Sequence, residues 1–453
     1  MNTIVVLGYR RSLAIVVVAA LVGCSSGSSG SATGAGGSVA GKGGANSSGG
    51  TVGGAGAMST GGASGSGGIV AGGGGAASAG GVTGAGGATA AGGAIVGAVT
   101  TGGVTGSGGA VVNDGPVYMP NFIVGADISR VQQQEDGGMK FKDTDGSQPT
   151  GTTITGGGLL TILKKHGFNY VRLRTFVNPK ATGGYAASLS QAYCDRDHTA
   201  KFAAGVKLAG MGVLLDIQYS DNFADPGTQT KPADWANLSF ADLTTQVYTY
   251  TKDVVSAMKT AGGRPDIVQI GNEIPQGLLF DASGVTAGTG GKVSGTAFAN
   301  LAALLKQGIQ GVKDADSNIK IMMHLDRCND LATTQWWVKG VQGQGVAFDV
   351  LGQSCYDFTG YQQPSSSWAG NFSTLATGFP GLSFAAAEYS PNPLFVAQVL
   401  AGIANKRGLG TFIFEPTSYN NMNSMLFTIA SNVATANAAM ADFDTITSLY
   451  ANR

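Results

Sequence analysis

The sequence carries little charge and no excess of either sign. Only 12% of its 453 residues are charged, with 27 basic residues against 27 acidic ones. It also lacks a cluster of lysines and arginines, which proteins that bind nucleic-acid phosphates carry. The composition therefore argues against a nucleic-acid partner.

Charge and proline are scarcest between Ser25 and Pro116, where Lys42 is the one charged residue before Asp114, and about half of the 75 glycines lie here. Such a stretch has too little apolar surface to offset the entropy lost on folding, so we predict that residues 25–116 are disordered. Irregular glycine spacing excludes a collagen-like triple helix. A flexible tether is the favoured interpretation, and a glycan-modified or self-associating segment is the alternative.

The N-terminal apolar run, residues 13–22, is too short to span a bilayer comfortably. Arg10 and Arg11 precede it, which indicates a targeting signal. The run ends in Leu21-Val22-Gly23-Cys24, which resembles the bacterial lipoprotein cleavage box. We therefore expect residues 1–24 to be a signal peptide, Cys24 to carry the lipid, and the protein to be exported to the cell envelope or surface, on the outer membrane. An ordinary cleaved signal or a membrane anchor is the alternative.

The remaining cysteines are Cys194, Cys328 and Cys355. An exported protein permits disulfides, and three cysteines allow one bridge with one thiol left over. We favour the pair Cys328 and Cys355, because both follow neighbouring predicted strands. Their spacing has no metal-binding signature, and residues 143–146 lack the ligands of a calcium loop and are better interpreted as a turn. The sequence thus predicts no metal and no cofactor.

Residues 117–453 alternate short apolar runs with amphipathic segments. The predicted strands are residues 122–127, 170–174, 213–217, 267–270, 319–323, 348–351, 384–387 and 411–414. Helical patterns cover residues 159–166, 201–209, 243–260, 298–314 and 394–406. Strands that alternate with helices form parallel sheets. Eight such units in roughly 340 residues predict an α/β fold, a single (β/α)8 TIM barrel.

In a TIM barrel the active site lies at the C-terminal ends of the strands. Each of the eight predicted strands ends near polar residues, which chance does not easily explain. The residues that we expect to bind substrate there are Asp127, Arg172, Arg174, Gln218, Tyr219, Asp221, Asn272, His324, Asp326, Tyr356 and Glu415.

Two carboxylates are needed to cleave a glycosidic bond, one that protonates the leaving oxygen and one that attacks or stabilises the oxocarbenium-like centre. Glu273 follows the fourth predicted strand directly after Asn272, and Glu388 follows the seventh, across the mouth of the barrel. We predict that Glu273 is the acid/base and Glu388 its partner, while Asn272 binds the sugar 2-hydroxyl. A buried structural role is the alternative for each carboxylate, and Glu415 is a second candidate nucleophile.

One of the two arginines, Arg172 or Arg174, is expected to face the site and keep Glu388 ionised, while the other makes structural ion pairs. His324 is either a buried structural histidine or a group that hydrogen-bonds substrate or a carboxylate.

Several motifs accompany these strand ends. They are Gly-Ala-Asp-Ile-Ser at residues 125–129, Asn-Tyr-Val-Arg-Leu-Arg at 169–174, Leu-Asp-Ile-Gln-Tyr-Ser-Asp at 215–221, Ala-Asp-Pro-Gly at 224–227, Tyr-Thr-Lys-Asp-Val at 250–254 and Val-Gln-Ile-Gly-Asn-Glu-Ile at 268–274. In these the chain resembles glycoside hydrolase family 53, the arabinogalactan endo-β-1,4-galactanases, a clan A family of barrels. The resemblance implies that Glu273 is the acid/base, Glu388 the nucleophile and galactan the substrate.

The chain departs from that family at several positions. Cys355 stands where the family usually has Tyr and Gln218 where it has His, and tryptophan is missing at Phe223, at Phe280 and near residue 416. Aromatic faces bind sugars by stacking on them. The cleavage machinery is therefore retained, while the sugar subsites are altered.

The sequence as a whole predicts a retaining endo-β-1,4-galactanase that acts on polysaccharide, is monomeric and is held at a membrane by an N-terminal lipid anchor. A barrel glycosidase for another β-linked glycan is the nearest alternative. A catalytically weakened glycan-binding lipoprotein is the next, although it has no need of the Asn272-Glu273 pair. A structural surface protein would not require eight polar strand ends.

Overall fold

A computed structural model of the protein describes residues 115–280, 290–357, 364–417 and 426–453. The expectations for residues 1–114, which include the signal peptide, Cys24 and most of the tether, lie outside these ranges. Within them, no helix is both long enough and apolar enough to cross a membrane.

Eight parallel strands close into a barrel, which confirms the predicted fold. In chain order they are β1 (Ile123–Asp127), β2 (Tyr170–Thr175), β3 (Gly212–Ile217), β4 (Ile267–Ile270), β5 (Lys320–Leu325), β6 (Val350–Cys355), β7 (Ser383–Tyr389) and β8 (Gly408–Phe414). Each strand pairs with the next one along the chain, and β8 pairs with β1 to close the barrel. All eight predicted strands are present, with ends that differ by a few residues from the prediction.

Helices cover the outside of the barrel. They are α1 (Val131–Asp136), α2 (Leu159–Lys165), α3 (Arg196–Leu208), α4 (Phe240–Thr260), α5 (Ala299–Ala315), α6 (Leu331–Gly343), α7 (Trp368–Gly378), α8 (Pro393–Ala401) and α9 (Met440–Tyr450). Their amphipathic pattern places them, since α4 buries an apolar stripe that includes Leu243, Val247 and Val254. The helix predicted over residues 394–406 is too long, because α8 ends at Ala401 and Asn405 has a left-handed backbone conformation.

The barrel interior has an apolar lower part, at the N-terminal ends of the strands, and a polar mouth at their C-terminal ends. The lower interior is one apolar cluster, made of Ile123, Tyr170, Leu214, Ile267, Met322, Val350, Ala385, Ala387 and Phe412. Gly125 leaves room for the Phe412 ring, since a Cβ atom there would lie 2.3 Å from a ring carbon. Residues two apart on a strand point to the same side, so the next inward residues along these strands form the mouth.

Two predictions about loops are confirmed. Cys328 and Cys355 form a disulfide, with their Cα atoms 5.0 Å apart, and Cys194 is a buried free thiol. The bridge joins the loop after β5 to the end of β6. Residues 143–146 form a turn, in which the Gly146 amide donates to the Asp143 carbonyl at 2.9 Å.

Candidate active site

Arg172 lies at the centre of the mouth and contacts five polar side chains, one of them through its Nε atom, which donates to Gln269 Oε1 at 3.3 Å. Its Nη1 atom lies 2.8 Å from both Asp127 Oδ2 and Glu388 Oε1. Its Nη2 atom donates to Asp216 Oδ2 at 2.9 Å and to Asn272 Oδ1 at 2.8 Å. A planar guanidinium presents its donors at fixed angles, so Arg172 sets the position of Glu388 relative to Asn272.

Arg174 also points into the barrel, so the expectation that only one of the two arginines faces inward is wrong. The two residues are two positions apart on β2, and such residues share a side of the strand. The Arg174 guanidinium pairs with Glu415 and lies 3.5 Å from Asp127 Oδ1. It also lies over the Phe223 ring, 4.6 Å from the ring centre. Arg174 therefore makes structural ion pairs, but it makes them at the mouth.

A β-bulge in β7 turns Glu388 towards the mouth. The register of β7 against β6 shifts between Ala386 and Glu388. Ala387 belongs to the interior cluster, whereas Tyr389 packs in the outer core. Two consecutive side chains therefore face inward, which regular alternation does not allow. In this position Glu388 Oε2 accepts a hydrogen bond from the Tyr356 hydroxyl at 3.1 Å.

Glu273 follows β4 where the chain bends sharply. Gly271 (φ 81°) and Glu273 (φ 46°) both have left-handed backbone conformations, a strain that persists for a glutamate only where the surroundings impose it. Gln229 supports the bend, because its Nε2 donates to the carbonyl oxygens of Asn272 at 2.8 Å and Glu273 at 3.3 Å. The Glu273 carboxyl group is in hydrogen-bond contact with the Ser354 hydroxyl.

The two glutamates have raised pKa values of unequal size. Burial, together with the charges of Glu388 and Asp326, raises the pKa of Glu273 well above its ordinary range. Burial also raises the pKa of Glu388, to about 7, but there the cation of Arg172 opposes the effect. Two nearby carboxylates resist ionising together, and the one beside the arginine loses its proton first. Of the two carboxyl groups, Glu273 therefore holds a proton more readily, and Glu388 is the one whose ionised form a cation stabilises.

His324 is fully buried between Asn272 and Ser354. Its Nδ1 atom is 2.9 Å from Asn272 Oδ1, and its Nε2 atom is 3.0 Å from Ser354 Oγ. Burial, and then the charge of Arg172, lower the pKa of His324 well below its ordinary value. The ring is therefore neutral at neutral pH, and it reaches Glu273 through Ser354.

Three further predicted residues join the group at the mouth. Gln218 donates to Asp216 Oδ2 at 2.9 Å, and Glu415 pairs with Arg174. Asp326, whose own pKa burial raises to about 6, adds its charge to the field around Glu273.

Tyr219 and Asp221 have hydrogen-bond partners outside this group, and their part in substrate binding stays a prediction. The Tyr219 ring is buried behind the barrel wall, where its hydroxyl lies 2.6 Å from Thr251 Oγ1 of α4. The Asp221 carboxylate accepts from the backbone amides of Asn178 at 2.9 Å and Ala233 at 2.8 Å, and so pins two loops together. Both residues come after the end of β3, where strand alternation no longer sets the direction of a side chain.

Asp216, Gln269 and Ser354 are mouth residues to which the sequence analysis assigned no role. Gln269 Nε2 donates to Asp216 Oδ1 at 2.6 Å, and Ser354 contacts Glu273. Each lies two or four residues beyond an apolar inward residue of its own strand, so alternation is the signal that could have identified them. Gln229 has no comparable signal, because it comes from the loop after β3.

The arrangement as a whole combines two carboxyl groups with unequally raised pKa values, a cation that contacts one of them, and a rim of hydrogen-bonding side chains. These are the groups that acid/base and nucleophilic cleavage of a glycosidic bond require.

Comparisons with known proteins agree with this chemistry. The family model described as Glycosyl hydrolase family 53 matches residues 123–390. An arabinogalactan endo-beta-1,4-galactanase of Thermothelomyces thermophilus is 33% identical over 331 residues, which covers 66% of this chain and 90% of that protein. An uncharacterized protein of Niallia circulans is 37% identical over 241 residues, covering 52% of this chain and 59% of the relative's own length.

Among solved structures, the chain is similar to one from a study of two fungal beta-1,4-galactanases. The TM-score is 0.60 at 27% sequence identity, and the match covers 72% of this chain and 99% of the other.

Proposed function

The chain belongs to glycosyl hydrolase family 53, and we propose that it is a retaining endo-glycosidase that hydrolyses β-1,4-galactosidic bonds in galactan and arabinogalactan. The galactanases among its relatives support this substrate. The observation that carries the proposal is the unequal pair at the mouth, in which the pKa of Glu273 is raised well above its ordinary range while Glu388 is bound to Arg172. An acid and a carboxylate on opposite sides of a sugar are what a glycosidase needs.

In the first step Glu273 donates its proton to the glycosidic oxygen as the bond to the anomeric carbon breaks, and Glu388 attacks that carbon. Arg172 on Oε1 and the Tyr356 hydroxyl on Oε2 keep Glu388 ionised and aimed. The leaving chain departs with a new hydroxyl group, and the rest of the sugar remains as an ester of Glu388.

In the second step Glu273, now ionised, takes a proton from water as the water oxygen attacks the anomeric carbon and releases Glu388. Formation of the ester removes the charge of Glu388, which lowers the pKa of Glu273 and suits it to act as a base. Two displacements at one carbon give net retention.

A different β-linked glycan is the second candidate substrate. Phe223 and Phe280 stand where related enzymes tend to have tryptophan, and each ring carries a cation over one face. Arg174 lies 4.6 Å from the Phe223 centre and Lys292 lies 5.1 Å from the Phe280 centre. A smaller ring offers less area for stacking on a sugar, which favours a less selective site.

The test is hydrolysis of a panel of β-1,4-galactan, xylan, mannan and glucan, with product analysis by chromatography and the first-formed anomer identified by NMR. We expect galacto-oligosaccharides in the β configuration. Glu273→Gln and Glu388→Gln should each lower kcat by roughly 10³-fold or more.

Glu135→Gln is the matched control, since the Glu135 carboxylate binds Thr153 and contacts none of the mouth residues described above. It should retain wild-type activity. The proposed function would be contradicted if the wild-type protein cleaved none of the glycans, or if the wild type and the three variants were equally active.

We further propose that Cys24 anchors the enzyme to a membrane through a lipid, with residues 25–116 as its tether. The cleavage-box sequence supports this anchor. In a bacterial host that processes lipoproteins, Cys24→Ser should move the enzyme from the membrane fraction to the soluble fraction without loss of galactanase activity. An unchanged membrane fraction would contradict the anchor.

A further inference from the structure

We infer that Ser354 and His324 are positioning residues that hold Glu273 in its protonated form, because Ser354 donates its one hydroxyl hydrogen to His324 and accepts the hydrogen of Glu273. The inference rests on the proposed acid/base role of Glu273. It reverses the ordinary arrangement, in which a hydroxyl donates to an ionised carboxylate. The direction of each hydrogen bond follows from the groups around Asn272.

The amide of Asn272 has one orientation that satisfies its partners. Its Nδ2 donates to the Ala224 carbonyl at 2.8 Å, and its Oδ1 accepts from Arg172 Nη2 at 2.8 Å. A guanidinium has no acceptor, so the oxygen of the amide must face it. The atom that Asn272 presents to His324 is that same Oδ1, which is an acceptor.

His324 Nδ1 must then carry a hydrogen. It lies 2.9 Å from Asn272 Oδ1, which is a hydrogen-bond distance. Because an amide oxygen cannot donate, the hydrogen in this contact belongs to Nδ1. Gln269 Nε2 also lies 3.2 Å from Nδ1, but its two hydrogens have closer acceptors. Those are Asp216 Oδ1 at 2.6 Å and the Gly271 carbonyl at 3.0 Å.

A neutral imidazole with its hydrogen on Nδ1 has a bare Nε2 that can only accept. Complete burial close to the Arg172 cation keeps the His324 ring neutral. Its Nε2 atom is 3.0 Å from Ser354 Oγ, so the hydroxyl hydrogen goes to the histidine. Ser354 Oγ can then only accept in its contact with the Glu273 carboxyl group. That hydrogen bond forms when Glu273 is protonated and donates its hydrogen to Ser354.

Ionisation of Glu273 disturbs this chain of hydrogen bonds. Ser354 must then turn its hydrogen to the carboxylate, which leaves His324 Nε2 buried without a donor, and an unsatisfied buried nitrogen is costly. With the hydrogens in this arrangement the chain of hydrogen bonds adds to the effect of burial on the pKa of Glu273, whereas a Ser354 hydroxyl that donated to the carboxylate would lower that pKa. The charged and titratable groups that face these three side chains are Glu388, Asp326, Arg172 and Tyr356.

The tautomer of His324 is the first test, and it needs no substrate. The protein has three histidines, so the ring resonances of ¹⁵N-histidine-labelled enzyme can be assigned with His166→Gln and His198→Gln variants. Long-range proton–nitrogen NMR should show a neutral His324 ring with hydrogen on Nδ1. A hydrogen on Nε2, or a doubly protonated ring, would overturn the inference.

The pH dependence of Ser354→Ala is the second test, because the two arrangements predict opposite signs. Loss of an acceptor for protonated Glu273 lowers the pKa of Glu273, so the alkaline limb of kcat/KM should move to lower pH by roughly one unit. If Ser354 instead donates to the carboxylate, the same limb moves to higher pH, and the inference fails.

Ser354→Thr keeps the hydroxyl and should restore the wild-type pH profile, which a merely structural role for Ser354 does not require. A profile for Ser354→Thr that matches Ser354→Ala would count against the inference. The result that would contradict the proposed function is a different one. A wild-type protein that cleaves no galactan would contradict the galactanase activity, whereas the NMR spectrum would still determine the tautomer of His324.

Discussion

The lower interior of the barrel and its mouth are built on the same eight strands, yet they have opposite chemistry. The lower part is a cluster of apolar side chains with Phe412 and Tyr170 among the largest. Two residues beyond Tyr170, the mouth begins with Arg172 and three carboxylates within 2.9 Å of it. One part of the interior packs like an ordinary core, and the other concentrates charge that has been removed from water.

The contrast separates stability from catalysis. Apolar burial stabilises the fold without directional demands, whereas a buried ion network contributes little net stability and is sensitive to the loss of one partner. The mouth retains its charges because acid/base chemistry needs two carboxyl groups with unequal pKa values. Three substitutions test this division.

Arg172→Met should have the largest effect, on both activity and stability. It leaves Asp216 and Glu388 buried without their cation, and Asp127 with Arg174 alone at 3.5 Å, which should cost about 3–5 kcal/mol of unfolding free energy. It should also lower kcat/KM by roughly 10³-fold, because Glu388 then holds a proton at neutral pH. Denaturant unfolding and galactan kinetics measure the two effects.

The stability loss in Arg172→Met should shrink below neutral pH. Burial already raises the folded-state pKa values of Asp216 and Glu388 above their unfolded values, and loss of the opposing Arg172 charge raises them further, so these two groups become neutral in the folded protein as the pH falls. Arg264→Met is the control, since Arg264 pairs with Asp316 at 2.9 Å outside the mouth. It should lower stability and leave kcat unchanged. If Arg264→Met lost as much activity as Arg172→Met, the loss in Arg172→Met could not be assigned to the chemistry of the mouth.

Phe412→Ala should have the next largest effect, and on stability alone. The ring is fully buried over Gly125 and packs edge-on against Tyr170, with ring centres 6.0 Å apart. Its removal leaves a cavity and should cost about 3–5 kcal/mol of unfolding free energy. Below the unfolding temperature we expect the pH profile of kcat to match wild type. A shifted profile would show that the lower interior also tunes the carboxyl groups.

Tyr356→Phe should have the smallest effect, and on activity alone. It removes one hydrogen bond to Glu388, which should lower kcat by roughly 10- to 100-fold, since hydrogen bonds to charged groups contribute roughly 1.5–3 kcal/mol. Tyr219→Phe is the matched control, because its hydroxyl meets Thr251 behind the barrel wall. Equal kcat in the two variants would mean that the Tyr356 hydroxyl does not serve the reaction.

Most of the barrel could be predicted from the sequence. Apolar runs such as residues 267–270 between amphipathic stretches such as residues 243–260 predicted eight units, and all eight strands are present. Periodicity succeeds here because burial on both faces of a parallel strand and on one face of a helix leaves different patterns. It failed at the end of α8, where Asn405 adopts a left-handed conformation that no periodicity reports.

The site was predictable in its parts and less so in its connections. Glu273, Glu388 and Asn272 were predicted from their positions after strands, and all three side chains lie at the mouth. The joint inward direction of Arg172 and Arg174 was missed, although alternation alone implies it. Gln229 could not be found, since it reaches the mouth from a loop.

The sequence by itself determined the barrel, the two glutamates and the cysteines that pair, because each leaves a local pattern or a count. Only the tertiary structure decided which arginine holds Glu388, how a bulge in β7 turns that carboxylate inward, and how His324 meets Ser354 and Asn272. Those contacts join residues from different strands, so they depend on strand register and stagger in the closed barrel. The unequal pKa values of Glu273 and Glu388 arise from that closure, since burial and opposed charges act only once the strands are assembled.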